Sequence, residues 1–520
     1  MDGPIVGRRM RVRRQIGTSL LLVTVLLGVG GAVSASAAPM GVKLSPRKAS
    51  RALHRATRLL SPAKHHRVRH APAKDLTTTL LALSRSLGSL GPVERRHAET
   101  LLARPTNPGD PDGHAYTVPE QPPYCTAHFC VHYVGSGIDA PALTDANGNG
   151  VPDYVEQVGA VGEEVYAVEN GGLGWKAPKP DGTRGGDSRT DIYLVQLFGR
   201  LFGYSAPDVR QRGHSQYAYL VVDNDYSPAE FPGTTPINDL DVTLAHEYNH
   251  ILQFAYDVNQ DLWFYEATAV WMEDHVYPNN NDYLRYIKRW VSRSKLPITN
   301  GNSIKIYGSA VWNHWLAGNY GNEIVRTAWE RARKVRPSGF SINAYNAAIR
   351  TVARKKGRGG RGNDFPHEFA RFAAATAEWR TPGGFPYVDG PLWDDVKRRG
   401  TLHPGRFIVR RLSHTGYLLF DVKPRNVGAL RLLAGGQRGT QLAFALVCRE
   451  GPVETGKVRI KMRFAEHGGV RGVTLRNPGN CSRITAALIN ADPGQGGFAF
   501  GDWLYTHDHQ RFAATLVVRH

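Results

Sequence analysis

The sequence predicts an α+β domain followed by a C-terminal all-β sandwich, and three observations carry that prediction. Residues 111–400 mix helical and strand-like stretches and are rich in aromatic side chains. Residues 401–520 instead show short alternating apolar runs separated by Gly and Pro. A chain of 520 residues also exceeds what one core usually holds. Its 41% hydrophobic and 21% charged residues exclude a wholly disordered or collagen-like chain.

At the N-terminus, Arg8, Arg9, Arg11, Arg13 and Arg14 form a positive patch, Leu20 to Val33 an apolar stretch of 14 residues, and Ala35-Ser36-Ala37 a small-residue cleavage signal. The apolar stretch falls short of the roughly 20 residues that span a bilayer. Residues 1–37 are therefore expected to be a cleaved signal peptide and the chain to be secreted, by the Sec or the Tat route. No later window holds 18 uninterrupted apolar residues, so no membrane span is expected in the mature chain.

The net charge of +20 is unevenly placed. Residues 1–74 hold 15 Lys/Arg against one acid, and 350–361 add six bases with none. The rest is neutral, which excludes a basic folded nucleic-acid domain, and 350–361 reads as a solvated loop because it lacks interleaved aromatics. Residues 38–74 are basic, without an acid, and are not expected to form a core. Leu80, Leu81, Leu83, Leu87 and Leu90, then Val93 to Leu102, predict two short helices over 75–103 divided at Gly91-Pro92. The span 38–110 is read as a pro-segment or docking arm. A solvated tail, a removable inhibitory segment, and contact with anionic wall polymers or lipids through residues 38–74 all remain open.

Within 111–400, the stretch from Asp145 to Glu156 has the spacing of a calcium loop. Asp145, Asn147, Asn149, Asp153 and Glu156 supply side-chain oxygens at loop positions 1, 3, 5, 9 and 12, Val151 a backbone carbonyl at 7, and Gly150 the turn at 6. Structural Ca2+ is expected there. In an oxidising compartment the four cysteines read as two disulfides, and local pairing joins Cys125 to Cys130 and Cys448 to Cys481.

The segment from Asp241 to Tyr256 has helical periodicity, with a start signal at Thr234-Thr235-Pro236. On that helix His246 and His250 are i and i+4 and project on one side, close enough to grip one ion. Glu247 stands beside them to take a proton from water: this is the HExxH arrangement of a zinc site. A third ligand is needed, and the next apolar stretch, Leu262 to Glu273, carries two carboxylates. If 257–261 turns a helical hairpin, His250 lies about 9 Å before the turn and Glu266 about 7 Å after it, so the two arrive level. Glu266 is thus the expected third ligand, and Glu273, roughly 10 Å further on, is better placed to support a ligand than to be one.

His246-Glu247-x-x-His250 followed by Trp263-Phe264-Tyr265-Glu266-Ala267-Thr268-Ala269-Val270-Trp271-Met272-Glu273 resembles the gluzincin metallopeptidases, and most of all a group of secreted bacterial metalloproteases of that clan. The resemblance covers residues 130–325. It implies a zincin-like fold, a catalytic Zn2+ on His246, His250 and Glu266, and a protein or peptide substrate. Fifteen residues separate His250 from Glu266, fewer than in thermolysin-like enzymes or the aminopeptidases, and Tyr265 replaces the usual Asn. Val270 stands where thermolysin-like enzymes keep an aspartate that orients a zinc histidine, so that support is expected from Glu273 or Asp274. The aminopeptidase segment that holds a free amino terminus is missing, which favours endopeptidase activity. The metzincin alternative fails because Gln253 and Tyr256 occupy its Gly and third His positions. Ile306 to Trp312 resembles the segment that supplies a tyrosine hydroxyl in the aminopeptidase branch, which makes Tyr307 the candidate donor to the oxyanion. His314 nearby reads as a core histidine, and the apolar run Tyr217 to Val222 as the edge strand that would hold an extended substrate.

The C-terminal strands are expected at 407–409, 417–422, 430–433, 442–447, 458–464, 484–489 and 512–518. The leading expectation is a secreted zinc endopeptidase. The alternative is a non-catalytic secreted binding protein for cell-wall or surface polymers, stabilised by its metals. Metal-dependent hydrolysis of something other than peptide is a third.

Overall fold

The structure, a computed structural model, describes residues 45–60, 76–106 and 115–519 apart from breaks at 199–200, 210, 302, 304, 336–339, 424–425, 466–468, 495, 500–501 and 506–507. The expected signal peptide, 1–37, lies outside the described residues. Helices α1 (Pro46–Leu60), α2 (Leu76–Ser86) and α3 (Pro92–Leu101) open the chain. The break between α2 and α3 falls at Gly91-Pro92 as expected, with Pro92 in the first turn, where its missing N–H costs nothing. Helix α1 corrects the expectation that 38–74 adds nothing to a core. Its Ala49, Leu53, Ala56 and Leu60 recur at helical spacing and are buried, a stripe that basic average composition hides.

The three helices cover one face of a five-stranded sheet, β1 (Tyr124–Cys125), β2 (Phe129–His132), β3 (Thr190–Val195), β4 (Gly203–Pro207) and β5 (Ala218–Asp223), in the order β1-β2-β3-β5-β4. Strands β2, β3 and β5 run parallel, and β4 lies antiparallel at the edge. Strands β3, β4 and β5 are buried along their whole length because both faces are covered. Tyr193, Val195, Tyr219 and Val221 face Leu53, Leu80 and Leu101 of the N-terminal helices. Ile192, Leu194, Leu220 and Val222 face the main core, with α4 (Asp153–Tyr166) and α5 (Pro236–Tyr256). The run Tyr217 to Val222 is therefore not the edge: it forms the interior strand β5, and the edge is β4. Apolar content alone does not separate the two positions, since both are buried on both faces.

Helix α5 turns at 257–261 into α6 (Leu262–Val276), the expected hairpin. Helices α7 (Leu284–Trp290), α8 (Lys305–Gly308), α9 (Ala310–Tyr320), α10 (Glu323–Ala332), α11 (Ser341–Lys355) and α12 (Phe365–Ala375) complete the helical body. The basic stretch 350–361 is half helix, because α11 runs to Lys355 before the loop begins.

The C-terminal part is a two-sheet sandwich. One sheet holds β6 (Arg398–Thr401), β8 (Tyr417–Val422), β10 (Leu442–Glu450), β11 (Lys457–Ala465) and β13 (Arg483–Asn490). The other holds β7 (Phe407–Leu412), β9 (Ala429–Gly436), β12 (Gly469–Arg476) and β16 (Gln510–Arg519), and β14 (Gly496–Ala499) with β15 (Asp502–Tyr505) makes a separate hairpin. All seven expected strands are present; β6, β12, β14 and β15 were not anticipated. Period-two alternation sorts the sandwich side chains. Phe444, Leu446, Ala486 and Leu488 fill its core, while Ala443, Ala445, Ala487 and Ile489 pack on the helical body. Both expected disulfides are formed, Cys125–Cys130 across the β1/β2 pair and Cys448–Cys481 in the sandwich, as suits an oxidising environment. Among the described residues no helix is long and apolar enough to cross a membrane.

Candidate metal centre

Helix α5 starts where Thr235 accepts the Asn238 backbone N–H at 3.3 Å, with Pro236 in the first turn. Two turns on, it carries His246 and His250 on the side that faces α6. Their Nε2 atoms lie 3.0 Å apart, and Glu266 Oε2 of α6 is 3.2 Å from His246 Nε2 and 3.8 Å from His250 Nε2. A tetrahedral zinc with bonds of 2.0–2.1 Å sets its ligand atoms about 3.3 Å apart, and these three separations bracket that value. Two imidazoles and a carboxylate this close, at 0–1% exposure, form a group that could hold a metal ion. Two histidines and one carboxylate suit zinc.

The outer ring nitrogens explain why both Nε2 atoms point inward. His246 Nδ1–H donates to Glu273 Oε1 at 2.5 Å, and His250 Nδ1–H to Gln253 Oε1 at 2.8 Å. The Gln253 amide is itself oriented, since its Nε2 donates to Asn249 Oδ1 at 2.6 Å and to the Tyr265 carbonyl at 3.1 Å. Asn249 in turn donates to Glu169 Oε2 at 2.8 Å. Of the two supports offered in place of the aspartate at position 270, Glu273 is the one that reaches. Asp274 instead accepts from the Tyr387 hydroxyl. Gln253 was noticed in the sequence only as a residue that is not a third histidine. Its place one turn beyond His250 on the same face was the available signal.

Glu247 is 2% exposed, and its Oε2 accepts from Ser205 Oγ at 3.0 Å and Thr77 Oγ1 at 2.9 Å. Ser205 belongs to the edge strand β4 and shares its hydroxyl with the Glu247 carbonyl at 2.8 Å. The strand comes this close because of Gly203: a Cβ there would meet Thr243 Cγ2 at 2.7 Å and the Val221 carbonyl at 2.8 Å. Thr77 lies 170 positions before Glu247, on α2, and no local pattern announces the contact.

Tyr307, on α8, is buried, and its hydroxyl has no hydrogen-bond partner among the described residues. Burial first, then the nearby Glu266, Tyr286 and Glu247, hold its phenol protonated well above the ordinary range. His314 is a core histidine. Its ring lies tilted at 4.0 Å from the Tyr387 ring, and burial pushes its pKa down to about 3.

The second expected site folds as a loop that closes on itself. Asp145 accepts backbone N–H groups from Gly148, Asn149 and Gly150, Asp153 accepts that of Ala146, and Glu156 reaches back to Asn147 at 2.9 Å and Asn149 at 2.7 Å. Gly150 has φ +87°, the turn that position 6 demands. Val151, at position 7, donates its N–H to Asn149 Oδ1. A further acidic group, Asp223, Asp225 and Glu230, was not anticipated; Asp223 is occupied by the N–H groups of Leu197, Asp225 and Tyr226.

Residues 231–377, which include the whole α5/α6 hairpin, match a family of unknown function, DUF6055. No curated protein matches. Among solved structures, a novel family GH115 4-O-methyl-α-glucuronidase with specificity for decorated arabinogalactans matches at 10% identity and a TM-score of 0.14. The match covers 57% of this chain and 45% of that one, so the chain spans less than half of that enzyme's length, and a TM-score this low carries no argument.

Proposed function

We propose that the chain is a secreted zinc-dependent endopeptidase with a zincin-like catalytic domain. One observation carries the reading: His246, His250 and Glu266 converge at 3.0–3.8 Å, with Glu247 next in sequence to a ligand. A purely structural three-ligand site has no use for that glutamate. When bound, zinc would supply Lewis-acid polarisation to a water and to the scissile carbonyl.

The chain's own residues do the rest. The Glu247 carboxylate, oriented by Ser205, takes a proton from the attacking water and returns it to the leaving amine. Tyr307 O–H, with no competing acceptor among the described residues, donates to the oxygen on which charge develops. Glu273 and Gln253 keep the imidazoles in one tautomer. The edge strand β4 offers its outer side to an extended peptide once Thr77 releases the Ser205 N–H. Ca2+ in the Asp145–Glu156 loop, held by Asp145, Asn147, Asn149, Val151, Asp153 and Glu156, would pin the start of α4.

The test compares digestion of a quenched fluorescent protein by the mature chain and by Glu247→Gln at matched zinc content, each with and without removal of residues 38–110. Loss of most turnover with zinc retained supports the reading; equal activity in both refutes it. A second reading, a surface-polymer binding protein with structural metals, is favoured by one observation: every group of the centre is at most 2% exposed. It predicts no turnover under any condition.

A further inference from the structure

The closed centre has an identifiable cover, and that cover is the chain's own N-terminal segment. Helix α2 lies along the edge strand β4, where an extended substrate would pair. Its Thr77 accepts the Ser205 backbone N–H at 2.9 Å, using a strand-edge donor, and donates its own O–H to Glu247 Oε2 at 2.9 Å. Arg85, at the other end of α2, reaches the α5/α6 hairpin, within 6.0 Å of the Tyr265 ring and 3.4 Å of the Gln260 carbonyl. The segment thus touches the edge strand, the hairpin and Glu247.

The same segment ends in a latch. Arg104, just beyond α3, sends its guanidinium into three carboxylates of the sheet domain. Nε and one terminal nitrogen grip Asp208 at 3.0 and 2.9 Å, that nitrogen also reaches Asp181 at 2.5 Å, and the second contacts Asp191 and, at 3.2 Å, the Tyr193 hydroxyl. The Tyr219 ring lies 5.5 Å from the guanidinium carbon. Three acids face the guanidinium, and His132 Nε2 meets only the second oxygen of Asp191, at 2.9 Å, so the Asp181 and Asp208 carboxylates depend on Arg104 and the pocket binds a guanidinium strongly. Asp208 directly follows β4, so the pocket sits three residues, roughly 10 Å, along the strand from Ser205.

We propose that the described N-terminal residues 46–60 and 76–104 are an intramolecular inhibitor of the metal centre, seated on the substrate-binding edge with Thr77 on Glu247, and held by Arg104 in a guanidinium pocket built from Asp181, Asp191 and Asp208. The inference rests on the peptidase reading of the site, but its test does not depend on turnover. The full-length zinc-loaded chain is compared with Arg104→Ala and with Leu80→Asp, which puts a charge among the leucines under the sheet. Arg104→Lys keeps a cation in the pocket in case neither folds. Two readouts precede any activity assay: binding of a fluorescent hydroxamate, and the rate of zinc loss to a chelator.

The wild-type chain should exclude the hydroxamate and retain zinc. The variants, folded by circular dichroism, should bind the probe and lose zinc at least tenfold faster, with Arg104→Lys intermediate. A peptide spanning residues 74–106 should displace the probe from Arg104→Ala. Equal probe binding and zinc loss in all forms, or exclusion of the probe by the folded variants, overturns the proposal. Probe binding in the variants without hydrolysis of any protein substrate upholds the cover and refutes the peptidase reading.

Discussion

Replacing Glu273 by Gln isolates the support under His246, one of the proposed metal ligands, without touching the histidine. The Glu273 carboxylate accepts the His246 Nδ1–H at 2.5 Å with both side chains 1% exposed, so the bond is charge-assisted and unscreened. Glutamine keeps the size and an acceptor oxygen but removes the charge, which lowers the donor strength of Nε2 on the opposite side of the ring. The partner histidine shows what remains, because His250 is held by the neutral amide of Gln253 at 2.8 Å. Loss of such support costs about 10- to 100-fold in metal affinity, or about 1.4–2.7 kcal/mol. Competition with a chromophoric zinc chelator measures it, with circular dichroism to confirm the fold. An affinity within twofold of wild type would refute the argument that Glu273 tunes the centre.

Gly203→Ala should destabilise the chain by about 1–3 kcal/mol in urea titration, because the added Cβ meets Thr243 and the Val221 carbonyl below 3 Å; an unchanged midpoint would mean that β4 can move off α5. Burial, larger than the opposing bonds from Ser341 and Trp263, pushes Asp261 up to about 7. The stability that its neutral form provides is present below an unfolded value of about 4 and is lost as pH rises through 7, so Asp261→Asn should flatten the fall in Tm between pH 4.5 and 7.5. Opening Cys448–Cys481, which closes a span of 33 residues, by Cys481→Ser should cost about 3–4 kcal/mol in denaturant titration.

The hairpin was legible because two rules of helix geometry, i/i+4 neighbours and a fixed rise per residue, decide which side chains meet, and they brought His246, His250 and Glu266 together without any homologous structure. The sandwich strands were legible for a similar reason, since alternation with period two persists wherever one face is buried. What failed was of another kind. Helix α1 was judged by its composition, although a stripe of Ala49, Leu53, Ala56 and Leu60 is enough to bury one face of an otherwise basic helix. The edge and interior strands of the first sheet could not be told apart, because the N-terminal helices bury one face of each and the main core the other. Thr77 on Glu247 and Arg104 on three aspartates span 77 to 170 positions, and contacts of that separation leave no periodic trace.

The two hydroxyls on Glu247 differ in what becomes of them when the segment lifts. A buried carboxylate needs donors, and in the closed state Thr77 and Ser205 both serve. If the proposed inhibitor lifts, Ser205 stays as part of β4, whereas Thr77 leaves with α2. A general base that loses an orienting donor works less well, so the bond that stays is the one that matters during turnover. In an Arg104→Ala background, Ser205→Ala should therefore lower kcat, whereas Thr77→Ala should leave it unchanged. If Thr77→Ala lowers kcat as far as Ser205→Ala does, Thr77 remains on the base during turnover. The N-terminal helices would then be a permanent wall of the active site rather than its inhibitor.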